Sequence, residues 1–228
     1  MVRGVAPPPD TDELVRRALA YPYDPPAGSF VQIGDRTLPV PPEEIDVEGR
    51  RALLAYGANA SPEALTRKLA HLPSEPIAVL RVSLSGWDVV YSAHVTRYGA
   101  VPAAVVPSPG TVTSVHLVFP GDAQLEALAA TEGANYELRQ LVDFGAELEI
   151  GGEGPVEIDA FISVHGPLMV DGSPVALAAI PARDRAFPEM TMPEMLDRVR
   201  AAIHPDLTLR EFILYHVNHG GVAPLAPL

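Results

Sequence analysis

The tetrapeptide Tyr56-Gly57-Ala58-Asn59 has residue types and a position suited to holding an anion. It follows an apolar run at residues 52–56, which predicts a buried strand, and it precedes Ser61 and Pro62, which are typical of an N-cap and a first helical position. A strand that turns directly into a helix directs several backbone N–H groups to one point, where the helix dipole adds positive potential. The segment therefore predicts a site for a carboxylate or phosphate, although an ordinary strand-to-helix connection explains the local pattern equally well.

Glu132 has a placement suited to moving a proton. The pattern from Asp122 to about Thr131 predicts a helix that Asp122 caps and Gly133 ends, so Glu132 falls at the helix C-terminus. The negative end of the helix dipole disfavours an ionised carboxylate there, which favours an acid able to accept and return a proton. A solvated glutamate at the end of a helix is the alternative interpretation.

Three segments in order resemble a known family. They are Tyr56 to Asn59; the strand pattern from Gly99 to Gly110; and Leu128 to Tyr136, which has the form Leu-x-x-x-Glu-Gly followed by tyrosine. Their order and spacing, over roughly residues 51–204, are similar to the gamma-glutamylcyclotransferase-like family, also called AIG-type or BtrG-like.

The resemblance implies an α+β fold, a small mixed β-barrel with peripheral helices and a cavity that opens at the turn. It implies an enzyme that needs no metal and no cofactor. In such an enzyme the substrate's own α-amine attacks the gamma-carbonyl and releases 5-oxoproline from a gamma-glutamyl peptide or amine. By residue-to-residue transfer, Glu132 is the catalytic acid and base. Substrate binding falls to Tyr56, Gly57, Ala58, Asn59, Ala60 and Ser61.

A non-catalytic binding or interaction module on the same fold is the second hypothesis. Ala58 stands where the family has serine, and residues 173–177 lack the tyrosine that characterised members carry in that context. The first 50 residues also have no counterpart in the simple members of the family.

Composition narrows the range of partners. The formal net charge of −13 argues against a surface for nucleic acid or anionic membrane, and the absence of cysteine excludes disulfides and thiolate chemistry. No apolar run approaches the ~20 residues of a membrane-spanning helix, and the first 20 residues lack the apolar core of a signal peptide. We therefore expect a cytoplasmic protein whose partner is a small-molecule substrate with a free α-amine and carboxylate; a homodimer is compatible with the sequence.

The chain divides into three predicted parts. Residues 1–50 form an N-terminal extension with a short helix and a hairpin, residues 51–220 form the cyclotransferase-like domain, and residues 221–228 form a tail. Within the extension, a helix is predicted from Asp12 to Ala20 after Pro7-Pro8-Pro9. The hairpin would act as a flap, as an oligomer arm or, as we favour, by packing on a sheet edge.

Hydrophobic periodicity places the remaining elements. A helix is predicted from Ser61 to about His71, and two capping boxes, Thr191 to Glu194 and Thr208 to Glu211, open two further helices. Gly151 to Gly154 is interpreted as a hairpin turn rather than a phosphate loop. Strands are predicted at 52–56, 77–84, 87–92, 101–106, 113–119, 136–144 and 156–164.

Two further features receive no catalytic role from the sequence. His216 and His219 have the i, i+3 spacing of metal ligands, but histidines at a helix C-terminus also complement the dipole, and we expect no metal. Lys68 is the single lysine of the chain, which we attribute to coding composition.

Overall fold

The computed structural model describes residues 10–41, 44, 47, 50–142, 146–148, 157–220 and 222–228. Two sequence predictions, the Pro7-Pro8-Pro9 segment and the turn at Gly151 to Gly154, lie outside these residues. The helices are α1 (Thr11–Leu19), α2 (Pro62–Leu69), α3 (Asp122–Glu132), α4 (Met192–Ile203) and α5 (Leu209–His219). The strands are β1 (Phe30–Ile33), β2 (Arg36–Pro39), β3 (Leu53–Ala55), β4 (Ile77–Tyr91), β5 (His94–Val95), β6 (Ala103–Phe119), β7 (Tyr136–Val142), β8 (Ala146–Leu148), β9 (Glu157–Ser163), β10 (Met169–Val170), β11 (Ser173–Pro174), β12 (Ala176–Leu177), β13 (Ala182–Arg183), β14 (Glu189–Met190) and β15 (Ala223–Pro224).

Helix boundaries follow local capping chemistry. Thr191 and Thr208 each accept a hydrogen bond from the backbone N–H three residues on, which confirms both predicted capping boxes. The predicted cap of α3 was wrong by one residue, because Gly121 holds the N-cap position and its N–H donates to the side chain of Gln124 at 2.9 Å. Ser61 is the N-cap residue of α2 as predicted, but its hydroxyl makes no capping hydrogen bond.

A long antiparallel hairpin of β4 and β6 forms the centre of the sheet. Its register runs from Ala78 opposite Phe119 to Tyr91 opposite Ala103. The sequence predicted four separate strands here, because glycine and proline interrupt both runs. In the structure β4 and β6 are each continuous. The register between them shifts after Ser85, where β4 contains a bulge and Gly86 adopts a φ of +78°.

The fold is of mixed α and β character, which confirms the predicted class. The main sheet is ordered β14-β12-β4-β6-β3-β9-β7, and β3 pairs antiparallel to β6 but parallel to β9. Within the described residues this path has two ends, so the mixed sheet is not closed along it.

One apolar cluster fixes the helices that frame the candidate site. Leu65 of α2 and Leu128 of α3 are fully buried and pack with Leu53 of β3 and Phe161 of β9. Burying such side chains stabilises the fold by about 1.5–3 kcal/mol each. The cluster therefore holds the end of α3 close to the turn that follows β3.

The hairpin and the helix of the N-terminal segment both contact the rest of the fold. β1 and β2 form the predicted hairpin, and β1 pairs with β4 at the sheet edge, with Phe30 opposite Val79. Helix α1 lies on α5, where Asp12 pairs with Arg210 at 2.7 Å. The division of the chain at residues 50 and 220 stays a prediction.

Candidate functional site

The turn after β3 presents four of its six predicted binding residues to a cavity. A single-turn 3₁₀ helix, Ala58–Ala60, follows Gly57 and leads into α2. Tyr56, Gly57, Ala58 and Asn59 line the cavity, which has a volume of about 970 Å³. Ala60 and Ser61 are buried away from it, and their N–H groups donate within the turn to Gly57 and Ala58. The N–H groups of Ala60 and Ser61 are therefore used within the turn and are not available to a ligand.

Glu132 meets this turn. Its Oε1 accepts hydrogen bonds from Asn59 Nδ2 at 3.2 Å and from Lys68 Nζ at 2.8 Å. Lys68 also donates to Asn59 Oδ1 at 2.7 Å, so the three side chains form a closed triangle. Both charged side chains of the pair are 15% exposed. Oε2 of Glu132 has no hydrogen-bond partner among the described residues, which leaves one carboxylate oxygen available to a ligand.

Lys68 is a residue that the sequence analysis missed. It lies on α2, and its ammonium offsets the negative end of the α3 dipole at Glu132. The contact joins residues 64 positions apart. The one signal in the sequence was that Lys68 is the single lysine of the chain, which we attributed to coding composition.

Four tyrosines line the cavity that contains the carboxylate; Tyr21 and Tyr56 are buried, and Tyr98 and Tyr136 are half-buried. Burial, together with the nearby charge of Glu132, raises the pKa of Tyr21, Tyr56, Tyr98 and Tyr136 above the ordinary tyrosine value. Tyr56 donates its hydroxyl to the carbonyl of Phe161, and Tyr136 donates to the carbonyl of Ala103 at 2.7 Å. These phenols therefore stay neutral and act as fixed walls and hydrogen-bond donors.

Tyr21 brings the N-terminal segment into the site. Its hydroxyl accepts a hydrogen bond from the N–H of Ala103 at 2.9 Å and lies over Gly57, where an added Cβ would come within 2.6 Å of it. Only glycine at position 57 allows this approach. No residue of this segment was predicted to lie in the site, because nothing local in its sequence indicates which surface it covers.

His94 is a buried neutral imidazole in the cavity wall. Burial and the neighbouring His165 ring, 4.3 Å away between centroids, lower the pKa of His94 to about 3. Its Nδ1 contacts Ser92 Oγ at 3.0 Å, and Ser92 Oγ contacts Ser163 Oγ at 2.6 Å. If each hydroxyl donates along this chain, the proton of His94 lies on Nε2, an atom that has no partner within the described structure.

The cavity has an unusual charge for this acidic protein. Its described lining carries four cationic side chains, Arg17, Arg67, Lys68 and Arg97, and one carboxylate, Glu132. A concave site with this balance attracts anionic ligands.

Within the described residues, no group of three or more His, Cys, Asp or Glu side chains is arranged to hold a metal ion. His219 Nδ1 instead contacts the carbonyl oxygen of Tyr215 at 2.7 Å. Among the helices of the described chain, none is both long and apolar enough to span a membrane.

Comparison with known proteins gives similarities of structure only. No family model matches the chain, and no curated protein matches it. Among solved structures it is similar to a protein named gamma-glutamyl cyclotransferase, with 13% identity, 78% of this chain and 89% of that chain covered, and a TM-score of 0.42. It is also similar to an uncharacterized protein from Homo sapiens (14% identity, 79% and 90% covered, TM-score 0.37) and to a protein from Arabidopsis thaliana (17%, 53% and 74%, TM-score 0.40). A gamma-glutamyl cyclotransferase is thus among the proteins that this chain resembles, as the sequence motifs predicted.

Proposed function

We propose that this protein is an enzyme that cyclises gamma-glutamyl compounds and releases 5-oxoproline and a free amine. One observation carries the proposal: Asn59 Nδ2 donates to Glu132 Oε1 at 3.2 Å in the wall of a cavity. The turn and the acid, which lie 73 positions apart in the sequence, therefore line the same cavity.

The proposed reaction needs one proton carrier. Glu132 takes a proton from the substrate's α-ammonium, and the freed lone pair attacks the gamma-carbonyl carbon to form the new C–N bond of a five-membered ring. The bond from that carbon to the leaving nitrogen then breaks as Glu132 returns the proton to that nitrogen. The second proton of the ring nitrogen passes through Glu132 to the released amine, which departs as an ammonium ion. Because the nucleophile belongs to the substrate, correct folding of the bound substrate supplies several kcal/mol of the barrier reduction.

The other residues of the site have supporting roles in this proposal. The first amides of the turn, at Gly57 to Asn59, bind the α-carboxylate of the substrate. Lys68 and Asn59 hold Oε1 of Glu132, so that Oε2 receives the proton.

A substrate series tests the reaction class. The purified protein is incubated with a gamma-glutamyl dipeptide, the isomeric α-glutamyl dipeptide and the N-acetylated gamma-glutamyl dipeptide, and 5-oxoproline is measured by mass spectrometry. We expect release from the first compound alone, because only it combines a free α-amine with an amide leaving group on the gamma-carbon. Absence of 5-oxoproline from every one of a panel of gamma-glutamyl peptides and amines would refute the proposal.

A non-catalytic binding function is the second candidate. The observation in its favour is the position of Tyr21, whose hydroxyl occupies space directly over Gly57 of the turn. Saturable binding of gamma-glutamyl compounds in calorimetry, without release of 5-oxoproline from any of them, would support this candidate over the enzyme.

A further inference from the structure

Arg17 of α1 is a cation without an anionic partner in the described structure. Its Nε is buried and makes no hydrogen bond. Its guanidinium carbon lies 4.9 Å from the centroid of the Tyr98 ring, and both side chains line the cavity. Arg17 as a whole is half-buried, and its buried donor without an acceptor is costly, which favours an anionic ligand beside the guanidinium.

The acidic residue nearest in sequence is occupied elsewhere. Glu13 lies one helical turn before Arg17, but both of its carboxylate oxygens bind Arg16, at 2.6 and 2.7 Å. Arg16 points to solvent with its partner, whereas Arg17 faces the cavity. The two neighbouring arginines therefore have different surroundings although they share a helix.

The aromatic wall connects Arg17 to the turn. Tyr98 packs against Tyr21 with 6.4 Å between ring centroids, and Tyr21 in turn covers Gly57. These two rings therefore form a continuous wall between Gly57 and Arg17. Arg97 is exposed in the same lining and adds a second positive charge on this side.

The cavity has more cationic side chains than are required to bind one substrate carboxylate. Lys68 is paired with Glu132, and Arg67 is shared between Glu63 at 3.4 Å and the face of the Tyr23 ring. The α-carboxylate of a gamma-glutamyl group accounts for one anion at the turn. Arg17 is left without an anionic partner, so its side of the cavity can bind a second anionic group.

We propose that Arg17 forms a second anion subsite, which binds a carboxylate on the leaving-group part of the ligand. The inference rests on the proposed function for the orientation of the ligand. It predicts that gamma-glutamyl compounds whose leaving group carries a carboxylate bind better than gamma-glutamyl amines that lack one. The N-terminal helix is then part of the binding site.

Two unreactive probes test the subsite without requiring turnover. Glutaryl-glycine retains both carboxylates of gamma-glutamyl-glycine but lacks the α-amine, and glutaric acid monomethylamide lacks the second carboxylate as well. In calorimetry we expect the wild-type protein to bind glutaryl-glycine about tenfold more tightly than the methylamide, since a charge-assisted hydrogen bond of this kind has about that effect.

Substitution of Arg17 identifies the residue responsible. Arg17→Gln is expected to remove the tenfold difference and leave binding of the methylamide unchanged, whereas Arg17→Lys retains part of it. The matched control, Arg16→Gln, changes one exposed arginine on the same helix and keeps the full difference. Circular dichroism verifies that each variant is folded.

The outcomes separate this inference from the proposed function. Equal binding of the two probes, binding of neither, or a difference that survives in Arg17→Gln overturns the subsite, whatever the catalytic result. The assignment to a carboxylate is overturned if inorganic phosphate binds tightly and in an Arg17-dependent manner while glutaryl-glycine does not. If the tenfold difference is found but no 5-oxoproline is released from any gamma-glutamyl compound, the subsite stands and the catalytic proposal fails.

Discussion

The contact between Glu132, Asn59 and Lys68 is the feature on which the proposed chemistry depends at the scale of single residues. Glu132 lies at the end of α3, where the helix dipole opposes its charge. Lys68 compensates with an ammonium at 2.8 Å, and Asn59 ties the pair to the turn. The triangle thus fixes one carboxylate oxygen and leaves the other for a proton.

Removing the cation from this triangle is expected to destabilise the fold. Lys68→Met leaves a largely buried carboxylate without its ion pair, at a cost of about 1–3 kcal/mol in the free energy of unfolding. The double variant with Glu132→Gln has no buried charge, so we expect it to recover part of that loss. Urea unfolding of both single variants and the double variant at pH 7 gives the coupling free energy between the two side chains. If the two changes in the free energy of unfolding simply add in the double variant, the interaction is contradicted.

The approach of Tyr21 to Gly57 gives a second prediction at this scale. Gly57→Ala places a Cβ about where the hydroxyl of Tyr21 lies, and we expect it to destabilise the protein by about 1–3 kcal/mol. In a Tyr21→Phe background the hydroxyl is gone, so the same substitution should cost much less. Equal costs in the two backgrounds, measured by denaturant unfolding, would show that the two residues do not touch.

At the scale of elements, the sequence predicted local features well and distant contacts poorly. The capping boxes at Thr191 and Thr208 and the hairpin in the extension were confirmed, because each depends on residues a few positions apart. The join of residues 77–84 and 87–92 into β4 was missed, because continuity through Gly86 depends on pairing with β6.

The same distinction applies to the candidate site. The meeting of Glu132 with Asn59 was predicted through the order of family motifs and not through any local pattern. Lys68, Tyr21 and His94 were missed, because periodicity records which face of an element is apolar but not what a polar side chain will meet across the fold.

Helix α1 is part of the core in the described structure, and this gives a prediction at the scale of elements. Ala18 on α1 is fully buried, whereas Ala20 at the end of the helix is exposed. We expect Ala18→Asp to cost about 3 kcal/mol or more, because it buries an unpaired charge. Ala20→Asp, the matched control, should cost about 0.5 kcal/mol through the helix dipole. Similar losses of thermal stability in the two variants would contradict the docked position of α1.

The whole molecule is acidic, yet it concentrates cations in one cavity, and this contrast links its electrostatics to its ligand. The formal net charge is −13, while the described cavity lining carries Arg17, Arg67, Lys68 and Arg97. An anionic ligand is therefore attracted locally although the protein as a whole repels it, and its binding should weaken as salt screens the cavity.

The pH dependence of stability is a prediction for the whole molecule. Burial is the main cause that lowers the pKa of His94 to about 3 and of His116 to about 4, from an ordinary value near 6.5. Between about pH 4 and 6.5 the unfolded chain binds more protons than the folded one, so stability rises with pH over this range and is lost as pH falls through it. Urea unfolding at pH 5, 6 and 7 should show that the free energy of unfolding rises with pH. The rise should be smaller in His116→Gln, where only the contribution of His94 remains, and an unchanged rise in that variant would contradict the role of His116.

The most direct test of the account is the rate of 5-oxoproline release by Glu132→Gln. The substitution keeps the shape of the side chain and removes its ability to carry a proton, so we predict a loss of 10²-fold or more in kcat with a gamma-glutamyl dipeptide. Glu126→Gln, on the exposed face of the same helix, should retain the wild-type rate. A Glu132→Gln protein that is folded and releases 5-oxoproline as fast as the wild type would contradict the central claim.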